Sequence, residues 1–392
     1  MISFDEAVAR VCGAARPLGT ETVAIEQAAG RILASSVLAR IDGPRADVST
    51  MDGYAVRDAD LRVGAELPVI GEAFPGAPFG QALPPGTCLR IFTGAPVPEG
   101  ADRVVMQENV SRTGDNATFT EPASAVRFLR RRGSDFAIGD ALVHAGQRLG
   151  PRALVAAAAA DVDAVEVYRR PRLVILCTGD ELARPGQAAA TDAAVPESLS
   201  VGLTAFAEQC GAQVIAYRQL ADDLPSMKAE AAASLDAADI VVVTGGASVG
   251  ERDFAKAMFE GLDLIFSKVA IKPGKPVWLG RAGGRIVMGL PGNPTSALVT
   301  ARLLLQPLLT GMGGGNPDAA LRWRPARLAV PMEAGSDRET FWRAREEAGR
   351  VVLMPNQDSG AQRTLAEADL LVRQLSNAPA LATDAQVDVL DF

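Results

Sequence analysis

Apolar and polar positions along the 392-residue chain change their pattern several times. From Pro171 to about residue 312, short aliphatic runs alternate with amphipathic stretches. Leu173-Val-Ile-Leu-Cys177 and Ile240-Val-Val-Val243 have no polar alternation, as expected of strands buried on both faces of a parallel sheet. The spacing predicts helices over 197–209, 225–236, 254–260 and 294–311. It predicts further strands over 213–217 and 285–289, and a weaker one over 264–271. Gly211 stops the first helix, and Asn293-Pro294 opens the last. Strands alternating with helices predict a doubly wound, mostly parallel α/β domain spanning 171–315.

Elsewhere the pattern differs. Phe4, Val8, Val11 and Cys12 share a helical face, and Ile25 to Leu38 repeats that spacing, so residues 1–40 read as helical. From 41 to 136, short β-branched runs such as Thr87-Cys-Leu-Arg-Ile-Phe-Thr93 and Arg103-Val-Val-Met106 alternate with Pro and Gly turns, predicting a small β domain. A helix and the strand Ala164-Val-Glu-Val-Tyr168 follow, so 1–40 and 137–170 form an elongated first domain with the β domain inserted into it. Residues 320–392 show short strands without helical period, a second β domain.

Composition narrows the chemistry. A hydrophobic fraction of 48% with only 5% aromatic residues predicts aliphatic cores. A net charge of −8 argues against nucleic acid and anionic membrane as bulk partners. No run is long enough to span a bilayer, and the opening residues lack the apolar core of a signal peptide. Cys12, Cys88, Cys177 and Cys210 are widely spaced, which fits buried, reduced thiols in the cytoplasm. A single histidine, His144, leaves little scope for His-based triads or zinc sites, so any catalytic metal is expected to be a hard ion such as Mg²⁺.

Ligands of doubly wound sheets sit at the carboxyl ends of the strands. Three of the strands expected here end in short polar or glycine-rich loops: Thr178-Gly-Asp-Glu-Leu182, Thr244-Gly-Gly-Ala-Ser-Val-Gly250 and Leu290-Pro-Gly-Asn-Pro294. Such loops let a phosphate approach the backbone at a helix N-terminus, although each alone is equally a plain turn. Ile271-Lys-Pro-Gly-Lys-Pro276 holds Lys272 and Lys275 on one stiff turn, suited to an oxyanion. Asp180, Glu181, Asp222, Asp223 and Asp253 lie at or after strand ends, where they could collect Mg²⁺, while one of Asp222 and Asp223 caps the next helix and Asp253 could cap another. In the inserted domain, Met51-Asp-Gly-Tyr-Ala-Val56, Phe92-Thr-Gly-Ala-Pro-Val-Pro98 and Arg130-Arg-Arg-Gly-Ser-Asp135 combine turns with acids and cations; each is readable as a hairpin turn or a solvated basic loop.

Taken in chain order, these seven motifs resemble the MoeA family of molybdopterin molybdenumtransferases, which includes the gephyrin E domain and its plant equivalents. The resemblance implies a four-part subunit and a homodimer whose active site lies between the α/β domain of one subunit and the inserted domain of the other. It implies insertion of molybdate into adenylylated molybdopterin with Mg²⁺, releasing AMP and molybdenum cofactor. Molybdopterin adenylyltransferase and molybdoenzymes are the protein partners it implies. By motif position, Asp52, Thr93, Asp135, Glu181 and Asp253 would be catalytic. Arg130, Arg131, Arg132, Thr178, Gly179, Asp180, Gly245, Gly246, Ser248, Lys272, Lys275, Pro291, Gly292, Asn293 and Pro294 would bind substrate. Glu181, Asp222, Asp223 and Asp253 would hold the metal, Asp253 ranking as a ligand above a cap. Leu199 and Ala221 stand where the family has asparagine and, more usually, arginine, and the C-terminal domain matches poorly. An adenylyltransferase-like enzyme and a non-catalytic dimeric scaffold are the alternatives.

Overall fold

The structure, a computed structural model, describes residues 1–190, 192–245 and 254–392. Its central layer is a six-stranded sheet. Gln213–Leu220, Arg172–Thr178, Ile240–Thr244 and Arg285–Leu290 run parallel in that spatial order. Trp278–Ala282 and Asp263–Phe266 extend the sheet antiparallel. Period-two alternation sends Leu173, Ile175 and Cys177 into one core cluster and Val174 and Leu176 into another on the opposite face. Both faces are buried, which is why the strands read as unbroken apolar runs.

The sheet departs from the sequence reading in two places. The weak strand expected over 264–271 divides: Asp263–Phe266 stays in this sheet, while Ile271–Lys272 joins a C-terminal one. Trp278–Ala282 was not anticipated and forms a hairpin with Arg285–Leu290. Its turn is Gly283-Gly284, with φ of +54° and +76°, the backbone that a two-residue hairpin loop requires.

The inserted region forms a second six-stranded sheet. Arg103–Met106, Gly53–Val56, Cys88–Ile91 and Glu66–Ala73 are adjacent, followed by Asn116–Phe119 and Val110–Thr113. A short ladder, Val48–Ser49 with Leu129–Arg130, runs beside it.

Phe4–Ala14 is the one α-helix among the described residues of 1–40; Ser3 caps it by accepting from the Glu6 amide at 3.1 Å. The helix expected over Ile25–Leu38 is absent. One turn of 3₁₀ helix, Ile25–Gln27, gives way to Gly30 at φ +75°, and Val37–Leu38 pairs with Ala141–Val143. The apolar spacing there matched a helix, but the left-handed glycine cannot continue one. Thr20–Ala24 pairs with Ala164–Tyr168, and Pro151–Ala159 packs beside them. The Phe4–Ala14 helix buries its apolar face elsewhere: Phe4, Ala7 and Val11 share a cluster with Leu173, Ile175 and Leu304 of the α/β region. Phe341, Leu371 and Leu390 of the C-terminal sheet belong to the same cluster. That last sheet is built from Glu339–Glu347, Leu370–Gln374, Gln386–Asp391 and Arg324–Arg327, with Ile271–Lys272 at one edge, and carries one short helix, Gln362–Glu367.

Candidate active site

Strand register brings the α/β motifs to one end of the sheet. Cys177 lies opposite Thr244, Thr244 opposite Leu290, and Thr178 opposite Leu220. The loops opened by Gly179, Gly245 and Pro291, and the acids after Leu220, therefore emerge side by side at the carboxyl edge. The glycines there bring backbone close to backbone, most tightly at Gly245. Gly245 has φ +83°, and a Cβ on it would stand 2.5 Å from the Thr178 carbonyl oxygen. A Cβ on Gly292 would stand 3.3 Å from the Gly245 Cα. Gly179 has φ +143°, and a Cβ would meet a Glu181 carboxylate oxygen at 2.6 Å, so the Glu181 side chain folds back over its own loop. Ligand approach to bare backbone is what such a floor allows.

Beneath the floor lies a buried polar cluster that the sequence reading did not single out. The Thr244 hydroxyl lies 2.9 Å from the Cys177 sulfur. The carboxylate of Glu197, 3% exposed, accepts from the Ser200 amide at 2.9 Å and from the Ser200 hydroxyl. Burial pushes the Cys177 thiol up to about 12 and the Cys88 thiol to about 12, keeping both protonated and unreactive. Cys12 and Cys210 are only part-buried, unlike the expectation, and all four cysteines are free.

The acids separate by role. Asp223 is the N-cap of Leu224–Ala237, accepting from the Ser226 amide at 3.0 Å and hydroxyl at 2.5 Å. The Ser226 hydroxyl and amide hold its pKa below the usual carboxylate value. The cap reading thus falls on Asp223. Asp180 accepts from the Asp222 amide at 3.1 Å, tying the two loops together. Among the described residues no three acids gather in a metal-binding group. Gly246, Ser248 and Asp253 lie outside the described residues.

Lys272 and Lys275 are exposed, and among the described residues neither has an ion pair. Their turn packs against the helix begun by Pro294, since a Cβ on Gly274 would run into Thr300. Asn293 is the N-cap residue by position, yet its side chain makes no capping bond. Its amide group donates instead to the Ser359 hydroxyl at 3.0 Å, and the Thr295 hydroxyl lies 3.4 Å from the Ala361 carbonyl, so the C-terminal loop 359–361 rests on this turn.

The inserted sheet supplies a second group. Asp52 and Thr93 stand at one rim, and the Thr93 amide and hydroxyl both donate to Asp52 Oδ1 at 2.8 Å. Those two bonds, with Arg90 nearby, lower the Asp52 pKa and keep it a charged acceptor. Arg90 donates to the Gly53 carbonyl at 3.0 Å and to Gln107 Oε1 at 2.6 Å. Neither Arg90 nor Gln107 was singled out from sequence; they flank the motifs without belonging to them. The arginine motif is largely neutralised. Arg131 pairs with Asp47, and Arg132 pairs with Asp42 at 2.5 Å. Asp42 is held low by the Ile138 amide and Arg132, and Asp47 is held low by the Arg132 amide and Arg131 against its own burial. Arg130 has no ion pair among the described residues. The Asp135 amide donates to the Gly43 carbonyl at 2.9 Å.

No hydrogen bond or ion pair among the described residues joins this rim to the α/β strand ends. Each group is assembled within its own sheet.

Comparison with known proteins bears on both groups. Residues 2–160 match the MoeA N-terminal region (domain I and II), and residues 174–311 match a probable molybdopterin binding domain. A molybdopterin molybdenumtransferase of Haemophilus influenzae is 38% identical over 76% of this chain and 74% of its own length. Molybdopterin molybdenumtransferase 2 of Mycobacterium tuberculosis is 34% identical over 98% of this chain and 97% of its own. The molybdopterin biosynthesis MoeA protein of Pyrococcus horikosii superposes with a TM-score of 0.84 at 30% identity, covering 99% of this chain and 98% of that one. With both matched regions in register and the fold shared end to end, the chain belongs to the MoeA family of molybdopterin molybdenumtransferases.

Proposed function

We propose that this transferase of molybdenum cofactor biosynthesis inserts molybdate into adenylylated molybdopterin, releasing AMP and the molybdenum cofactor. The observation that carries the reading is the convergence of the Gly179, Gly245 and Pro291 loops, with two lysines on a turn packed against the helix that Pro294 opens and, among the described residues, no carboxylate paired to either. Bare backbone and unpaired ammonium groups suit the phosphoanhydride and a divalent oxyanion. Lys272 and Lys275 hold the oxyanion charge in place, and Pro291 and Pro294 keep the floor rigid. The substrate's dithiolene sulfurs capture molybdenum, so the protein's part is positioning and charge stabilisation.

The donor set fits Mg²⁺. It is oxygen-only, and Mg²⁺ commonly takes one or two protein carboxylates with substrate phosphates completing its shell. Glu181 and Asp222 would hold it, with Asp253 as the further candidate. Bound there, Mg²⁺ supplies charge neutralisation at the phosphoanhydride. On the other side of the reaction, Asp52 offers a charge fixed by Thr93, and Arg130 a cation open to the oxyanion.

The same reading makes the working unit a homodimer. Within one chain the Asp52 rim and the strand-end loops share no described bond, which supports completion of each site by the inserted domain of a second copy. A molybdopterin adenylyltransferase upstream and a molybdoenzyme downstream are the proposed protein partners, in the cytoplasm. No described helix is long and apolar enough to cross a membrane.

The test is direct. Purified protein given adenylylated molybdopterin, Mg²⁺ and molybdate should release AMP only when molybdate is present. Adenylylation of molybdopterin from ATP, with no molybdate-dependent AMP release, would overturn the proposal.

A further inference from the structure

Four strand ends meet at the Asp52 rim of the inserted sheet. Gly53 pairs with both Met106 and Ile91, and Ala73 pairs with Ile91. The residues just beyond those ends are therefore neighbours along one edge: Gln107, Asp52, Phe92-Thr93 and Phe74. Three of the side chains gathered here stack. Phe74 and Phe92 lie face to face, with centroids 4.5 Å apart and planes 11° from parallel. The Arg90 guanidinium lies 4.6 Å from the Phe92 centroid and 5.2 Å from that of Tyr54.

The end of this stack is open. Phe74 is 42% exposed and is the one aromatic ring among the exposed large apolar side chains of the described residues. Phe4, Phe119 and Phe341 are at most 1% exposed. The ring is also held rigidly. Phe74 and Ala77 exchange backbone hydrogen bonds at 3.1 and 3.0 Å, closing a Pro75-Gly76 turn with Gly76 at φ +78°. That turn abuts the Thr93 loop, because a Cβ on Gly94 would stand 3.6 Å from Pro75 Cγ. A flat, pre-positioned and uncovered ring beside a fixed carboxylate is a platform for another flat ring.

We propose that Phe74 is a specificity-determining residue that stacks on a planar heteroaromatic ring of the substrate. This rests on the reading of the substrate as adenylylated molybdopterin, which carries two such rings, the pterin and the adenine.

The experiment compares wild type with Phe74→Ala, Phe74→Leu and Phe74→Trp. KM for adenylylated molybdopterin should rise about 5- to 150-fold in the alanine and leucine variants. KM for molybdate and kcat at saturation should stay near wild type, and Phe74→Trp should restore the low KM. Leucine keeps an apolar side chain on the turn, so it reports on stacking should alanine disturb folding. Titrations with AMP alone and with molybdopterin alone identify the ring: the one whose binding weakens in Phe74→Leu is the one that stacks. A wild-type KM in folded Phe74→Leu, or unchanged binding of both ligands, overturns the proposal. Loss of molybdate-dependent AMP release in wild type overturns the proposed function instead, and the two titrations still judge the stacking.

Discussion

The two halves of the candidate site solve opposite problems. On the α/β side, charge is left unsatisfied: Lys272 and Lys275 have no described carboxylate partner, and at the strand ends Gly179 and Gly245 hold backbone conformations that side chains rarely adopt. On the inserted sheet, charge is mostly satisfied internally: Asp47 and Asp42 take Arg131 and Arg132, and Thr93 takes Asp52. A cation that already has a partner gains little from a second anion, whereas an unpaired one gains the full attraction. The first half is built to receive an oxyanion, and the second to hold fixed groups at set positions.

The largest effect that separates the halves concerns the cations. Lys272→Ala should lower molybdate-dependent AMP release by about 100- to 1,000-fold, as loss of a preorganised charge contact does. Arg131→Ala should cost far less, since an exposed pair of this kind is worth about 0–1 kcal/mol; Arg130→Ala should fall between. Equal losses for Lys272→Ala and Arg131→Ala in the same assay would erase the contrast.

Gly245→Ala tests the floor. It forces a side chain into a left-handed position at a cost of about 1–3 kcal/mol, and it points a methyl group at the Thr178 carbonyl. Activity should drop roughly 100-fold, because small displacements of positioning groups are costly, and the melting temperature should fall with it. Asp52→Asn keeps an acceptor for Thr93 and removes only charge, so it should lose roughly tenfold, the difference between charged and neutral hydrogen bonds. A loss as large as that of Lys272→Ala would show that the rim does more than hold its groups in place.

Smaller effects refine the assignment. Asp222→Ala should raise the Mg²⁺ concentration needed for half-maximal rate, while Asp223→Ala should leave it unchanged and lower the melting temperature by no more than a few degrees, as loss of a cap does. The carboxylates of Asp42, Asp47, Asp52 and Asp58 all have depressed pKa values in the folded state. A depressed acid contributes stability that is present above its unfolded value and lost as pH falls through the folded one. The inserted sheet should therefore loosen progressively below the ordinary aspartate value of 3.8. Hydrogen exchange should show 41–136 opening before 171–315 as the solution is acidified.

Much of the α/β half was legible because its signals are local. Unbroken β-branched runs marked the buried parallel strands, and glycine or proline marked the ends at which ligands bind. Trp278–Ala282 could have been read the same way, since Gly283-Gly284 before Arg285-Ile-Val is a hairpin signature. The inserted half was less legible because its chemistry is non-local. Arg131 and Asp47 are 84 residues apart in sequence, and no periodicity links them. Arg90, Gln107 and Phe74 lie outside the motifs and become part of the rim only when four strands align. Glu197 was not legible because a lone acid between a proline and a serine reads as a surface residue, while the fold buries it against Ser200.

The cluster shared by Phe4, Val11, Leu173, Phe341 and Leu390 has a consequence for synthesis. A ribosome delivers Phe4 long before Leu390, yet both belong to the same core. The strands of 171–315 can pair and take their own helices, such as Leu199–Gln209, while translation continues, but the part of the cluster that Phe341, Leu371 and Leu390 complete stays open to water until those residues emerge. The yield in a cell then depends on how well that remaining apolar surface is shielded in the interval.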